Sequence, residues 1–182
     1  MDAVMQQQVI DFWFNELQPK QWWTVDKALD QQVTERFLPL VHQATAGELH
    51  SWRATAAGRL AEIILLDQFS RNIYRNTPTA FAQDAIALVL AQEAVTAGVL
   101  NQLNATERGF LLMPYMHSES KLIHVEAEKL FKQYASPNNY EFELKHKAII
   151  DRFGRYPHRN EILGRESTHE EQVFLTQPGS SF

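Results

Sequence analysis

Three polar motifs in this chain carry side chains able to do chemistry. The first is Leu66-Asp67-Gln68-Phe69-Ser70-Arg71-Asn72-Ile73-Tyr74-Arg75. Asp67 and Arg71 are four residues apart and share one face of a helix. A charge left alone in an apolar helix costs several kcal/mol, so the two are expected to pair. The pair either fixes helix packing or presents a guanidinium, with Asn72, to a ligand. The second motif is Met113-Pro114-Tyr115-Met116-His117-Ser118-Glu119. Ser118 reads as a helix N-cap and Glu119 as a first-turn acid, both favoured by the helix dipole. His117 falls just outside that cap, where side chains often meet ligands. The third is His146, followed by Asp151-Arg152-Phe153-Gly154-Arg155-Tyr156-Pro157-His158-Arg159-Asn160, and then Arg165. Gly154 and Pro157 predict a rigid, irregular turn. Guanidinium groups on such a turn suit carboxylate or phosphate recognition, because the planar fork binds two oxygens at once. The same arginines could instead cross-link helix ends through backbone carbonyls. His146 sits in the apolar stripe of its own helix, where a satisfied core histidine is the plainer reading.

Several chemistries are excluded or unsupported. The chain has no cysteine, which rules out disulfides, thiol nucleophiles and thiolate metal sites. No Gly-x-Ser-x-Gly elbow, phosphate loop or dinucleotide glycine pattern is present. His117, Glu119, His146, Asp151 and His158 have metal-binding side chains but no diagnostic metal spacing. No metal and no cofactor is therefore expected. The net charge of -5 argues against a nucleic-acid partner held by phosphate neutralisation. No apolar run approaches the roughly 20 residues of a membrane span, and the start MDAVMQQQVIDFWF is not a secretory signal. The expectation is a cytoplasmic protein with neither a nucleic-acid nor a membrane partner. Oligomeric state is not legible.

The elements that must position these residues are helical. Over 182 residues, 45% hydrophobic and 21% charged, the dominant period is that of helices, and no strand or hairpin signal is found. The spacing predicts a first stripe of Met5, Val9, Phe12, Trp13 and Leu17. A second helix, capped by Asp26, carries Leu29, Val33, Phe37, Leu40, Val41 and Ala44, with a kink or break expected at Pro39. A third, from about Arg59 to Phe69, is apolar nearly all round and so should be central. A fourth spans Thr79 to Ala97, with Phe81, Ala85, Leu88, Val89 and Val95 inward. Thr106–Met113 should end at Pro114, and helices follow over Ser118–Tyr134 and Asn139–Phe153. Thr168 to Glu171 form a capping box for the last helix. Trp22-Trp23 reads as a core plug or as a pocket wall. The expected architecture is all-α, about seven to nine helices in one domain over residues 1–182, as stacked antiparallel hairpins.

Phe12-Trp13-Phe14, Trp22-Trp23 with Asp26, Arg36-Phe37, Leu65-Leu66-Asp67-Gln68-Phe69-x-Arg71-Asn72, Met113-Pro114-x-Met116-His117-Ser118-Glu119 and Arg152-Phe153-Gly154-Arg155-x-Pro157-His158-Arg159-Asn160 together resemble the bacterial domain-of-unknown-function family DUF924. The resemblance runs from about Ile10 to Phe174. Ser70 and His169 stand where the family pattern carries proline. It implies an all-helical fold similar to a right-handed tetratricopeptide-repeat array, and it implies no activity.

Function is then an expectation built on the motifs. The leading one is a binding module for an anionic small molecule or a peptide carboxylate, in a basic, histidine-bearing pocket. Its candidate residues are Asp67, Arg71, Asn72, His117, Glu119, His146, Arg152, Arg155, His158, Arg159 and Asn160. The rival is a small hydrolase using His117 or His158 with arginine charge stabilisation. A third possibility is a pure interaction domain in which the motifs are internal cross-links.

Overall fold

The computed structural model describes residues 2–182 and is all-α, with no strand among them. Helix α1 (Asp2–Asp11) runs into a π turn over Phe12–Glu16. Val9, Phe12, Trp13 and Leu17 are buried, as their spacing predicts. A short 3-10 turn (Pro19–Trp23) leads to α2 (Lys27–Thr45). Asp26 caps α2, its carboxylate accepting from the Ala28 and Leu29 amides. The whole expected stripe from Leu29 to Ala44 is buried. Pro39 does not break this helix. It sits on the exposed side, where water can take the carbonyl it leaves without a donor.

The most apolar segment forms α3 (Ala56–Ile64), a second π turn (Leu65–Phe69) and α4 (Ser70–Ile73), continuous in the chain. Leu60, Ile63, Ile64, Leu65, Leu66 and Phe69 are fully buried. Phe69 meets Trp13 and Phe37 at ring distances of 5.6 and 4.9 Å. Burying each such side chain contributes about 1.5–3 kcal/mol. Thr55 caps α3 by accepting from the Gly58 amide. Gly58 is required there, since a Cβ would stand 2.0 Å from the Trp52 carbonyl oxygen.

Helix α5 (Asp84–Thr96) begins later than predicted, after a 3-10 turn at Pro78–Phe81. Its inward face is also rotated. Ala87, Leu90, Ala91 and Ala94 are buried, while Val89 is 56% exposed. Three alanines on one face let α5 approach its neighbours closely, and that outweighs the larger side chains on the opposite face. Helix α6 (Ala105–Met116) runs through Pro114 instead of stopping before it. Helix α7 (Lys121–Tyr134) is capped by Ser120 and not by Ser118. That shift leaves His117, Ser118 and Glu119 in a connection. Helix α8 (Pro137–Phe153) ends at Gly154, which takes a left-handed conformation with φ +71°. A 3-10 turn (Pro157–Arg159) and α9 (His169–Leu175) complete the chain, and Thr168 and Glu171 form the predicted capping box.

Packing departs from simple succession in the first half. Helix α1 lies against α3, and α2 lies against the π turn and α4. Trp22 is the reason visible locally: its indole nitrogen donates to the Trp13 carbonyl at 2.9 Å, folding the α1–α2 connection back on itself. In the second half, α5 packs on α6, α6 on α7, and α7 on α8. One large apolar core runs from Val9 to Phe131, and Ile149, Ile150 and Tyr156 form a small satellite at the end of α8.

Candidate functional site

A cleft of about 690 Å³ opens between the Pro19–Trp23 turn, the end of the central segment, the end of α6, the start of α8 and the Pro157–Arg159 turn. Its walls are apolar: Trp22, Trp23, Phe81, Phe142, Met113, Met116 and Phe182. Trp22 is half-buried, whereas Trp23 is 60% exposed and stacks on Phe110 at 5.7 Å. The tryptophan pair thus both anchors a connection and walls the cleft. The polar surface comes from Gln68, Arg71, Asn72, Arg75, Asn138, Asn139, His117, His146, His158 and Arg159.

Behind this surface lies a charge network. Asp67 is fully buried. Its Oδ1 is 2.7 Å from His117 Nδ1, and Gln68 Nε2 donates to Oδ2 at 2.6 Å. Arg71 donates to Asp67 Oδ1 at 3.3 Å and to its main-chain carbonyl at 2.9 Å. The stronger partner of Arg71 is Asp84, gripped by both terminal nitrogens at 2.8 and 2.9 Å. Burial opposes ionisation of Asp67, but His117, Arg71 and the Gln68 amide together hold its carboxyl down to about 2. Burial, and then Arg71, push the His117 imidazole below its ordinary value against the pull of Asp67. The pair is therefore a carboxylate accepting the Nδ1 proton of a neutral imidazole.

Arg159 is 5% exposed. It donates to the His117 carbonyl at 3.0 Å, but its carboxylate contact, Asp84 Oδ2, is 3.5 Å away. Its Nε is buried without a partner. Burial, and then Arg71, lower its pKa. The rings of Phe81 and Tyr156 sandwich the guanidinium at 4.6 and 4.8 Å. His146 donates from Nδ1 to the Phe142 carbonyl at 2.7 Å, and burial pushes its pKa down to about 3. His158 has a buried Nδ1 with no partner. Burial, with Arg159 next to it, brings its pKa to about 4. All three cleft histidines are uncharged at neutral pH.

The candidates named from sequence divide into two groups. Arg71, Asn72, His117, His146, His158 and Arg159 line the cleft, and Asp67 backs them. The other four lie outside it. Glu119 accepts from the Tyr156 amide at 2.7 Å and from both terminal nitrogens of Arg165 at 2.8 and 2.9 Å. Arg155 grips Glu171 at 2.7 and 2.8 Å. Arg152 meets Glu170 at 3.2 Å and covers the Phe153 ring. Asn160 is buried among Ser167, Glu171 and Arg165. The third motif is thus mainly a clamp on α9, and only His146 and the His158-Arg159 step face the cleft. Asp84, Gln68, Asn138 and Asn139 were not anticipated. Asp84 looks like an ordinary first-turn acid, and the two asparagines like ordinary residues following the Ser136 cap.

Among the described residues no cluster of three or more histidines and acids is placed to hold a metal ion, and no helix is long and apolar enough to cross a membrane. The family model for a bacterial protein of unknown function, DUF924, matches residues 9–179. The chain belongs to the DUF924 family. A solved structure, that of the protein of unknown function ATU0120 from Agrobacterium tumefaciens, is similar over 96% of this chain and 98% of its own, at 33% identity and a TM-score of 0.91. No curated protein matches. In this DUF924 chain the cleft gathers six of the sequence-named side chains on one surface.

Proposed function

We propose that the cleft binds a small molecule joining an acidic group to a planar apolar body. One observation carries this reading: among the described residues Arg159 is a buried cation whose one carboxylate contact is shared with, and held more tightly by, Arg71, and whose Nε has no partner. A buried charge matched this poorly costs several kcal/mol, which a bound anion offsets. The forked guanidinium suits a carboxylate or phosphate. The rim suits the rest of the ligand, since Trp23 and Phe142 expose 60% and 44% of their surface. The volume lies within the roughly 300–1,000 Å³ of small-molecule sites. A peptide carboxylate offers the same anionic group and would be seated by the same residue.

The test is calorimetry and thermal shift with benzoate, phenyl phosphate, succinate and a short peptide with free or amidated C-terminus. The acids bind, binding weakens with salt, and Arg159→Gln abolishes it while Arg155→Gln leaves it intact. Equal effects of benzoate and neutral benzamide, or unaltered binding in Arg159→Gln, refute the reading.

A further inference from the structure

His117 has the arrangement of a base held ready. Its Nδ1 faces the Asp67 carboxylate at 2.7 Å. Both oxygens of that carboxylate are engaged, Oδ1 by His117 and Arg71 and Oδ2 by Gln68. The aspartate is buried in a helix of the central core and cannot turn away. The tautomer is thereby fixed with the proton on Nδ1 and the lone pair on Nε2. Among the described residues none bonds that Nε2, and it is not among the fully buried atoms left without a partner, so it keeps some contact with solvent on the cleft-lining imidazole. An acid that orients an imidazole whose other nitrogen is free is the arrangement required for activating a nucleophile. No serine lines the cleft, and its hydroxyl side chain is that of Thr24. Water is then the nucleophile for His117 to activate. Arg159, donating to the His117 carbonyl at 3.0 Å, keeps a cation beside the imidazole. Charge developing on an acyl oxygen there is stabilised.

We propose that His117, positioned by Asp67, is the general base of a hydrolase for activated acyl esters that carry an acidic group. The proposal rests on the anion-binding reading for its choice of substrate, though not for the dyad itself. In the step, Nε2 takes a proton from water as the water oxygen bonds to the acyl carbon. The tetrahedral intermediate carries the negative charge on the former carbonyl oxygen. Its collapse breaks the bond from carbon to the leaving oxygen, and Nε2–H returns the proton to that oxygen. The products are an acid and an alcohol, and Asp67 stays ionised throughout. His117 is the catalytic residue, and Asp67 is a positioning residue. An activated alkoxide or phenoxide leaves far more readily than an amine, which favours esters over amides.

The experiment uses mono-4-nitrophenyl succinate and neutral 4-nitrophenyl acetate as probes of the whole protein. The hemiester turns over faster than the acetate. His117→Gln lowers kcat by about a hundredfold or more, the usual contribution of a general base, with KM within a few-fold. Asp67→Asn lowers kcat similarly, because the amide favours the wrong tautomer. It also moves the acid limb of the kcat profile, a readout that helix packing alone would not shift. That limb lies below the ordinary histidine range because burial and then Arg71 lower the His117 pKa against the opposing pull of Asp67 and Asp84. Should Asp67→Asn not fold, His117→Gln and the wild-type pH profile still decide. Nitrophenol release that is equal in wild type and His117→Gln overturns the dyad. Succinate binding without ester turnover removes the dyad and leaves the anion reading standing. His117-dependent turnover of the acetate without succinate binding does the reverse.

Discussion

Replacing His146 by leucine should make the protein markedly less sensitive to acid. His146 is 5% exposed and spends its one donor, Nδ1, on the Phe142 carbonyl. Burial lowers its pKa to about 3 from an ordinary value of 6.5. Below pH 6.5 the unfolded chain therefore takes up a proton that the native state refuses. A base with a depressed native pKa contributes no penalty above pH 6.5, and stability falls steadily as pH drops towards 3. At pH 4.5 the native ring is still neutral and the unfolded ring is charged. Two pH units at about 1.4 kcal/mol each give a loss of about 2.5 kcal/mol relative to pH 7. The assay is urea unfolding of wild type and His146→Leu at pH 7 and 4.5. His158 and the carboxylates titrate in both proteins, so the difference between the two pH effects isolates His146. An acid-induced loss in His146→Leu as large as in wild type would refute the reasoning.

Three further outcomes follow from the packing. Asp84→Ala should cost about 3–5 kcal/mol by denaturant unfolding, because it strips Arg71 of its main partner and Arg159 of its only carboxylate. A loss under about 1 kcal/mol would mean that Asp67 alone neutralises both arginines. Gly58→Ala should lower stability by about 1–3 kcal/mol, with a melting temperature roughly 3–10 °C lower, since its Cβ would meet the Trp52 carbonyl at 2.0 Å. An unchanged melting curve would show that the Trp52 turn yields easily. Arg155→Ala should leave benzoate binding intact while limited proteolysis near α9 speeds up, and an unchanged cleavage pattern would count against its role as a clamp.

Much of this was legible in the residues. The stripes of α1 and α2, the buried central segment, the Asp26 cap and the Thr168–Glu171 box follow local rules, and local rules decided them. The Asp67–Arg71 pair was readable from spacing alone. Other features depend on partners distant in sequence. Glu119 was read as a first-turn acid, but Arg165, 46 residues on, takes it instead. On α5 the expected Leu88 and Val95 do pack against the core, but Ala85 and Val89 are exposed, and close approach to the neighbours turns Ala87, Ala91 and Ala94 inward instead. Pro39 is expected to kink or break its helix and Pro114 to end one, yet both helices continue through them, held by packing at either side. The cleft drew on His117 and His158-Arg159 as the motifs suggested. It also needed Asp84, whose role appears only once the start of α5 is placed within reach of Arg71.

The π turn at Leu65–Phe69 has a consequence for how this chain can vary. A π turn holds one residue more than an α turn, and each residue turns a helix by about 100°. Were the same residues wound as a plain α-helix, Arg71 and Asn72 would stand about a quarter-turn away from Asp84 and Asp30, their partners on α5 and α2. The side chains facing the cleft are thus indexed by a count of residues as well as by their identity. Substitutions in this stretch trade one local contact for another. Straightening the π turn would leave every residue type in place and still erase the site.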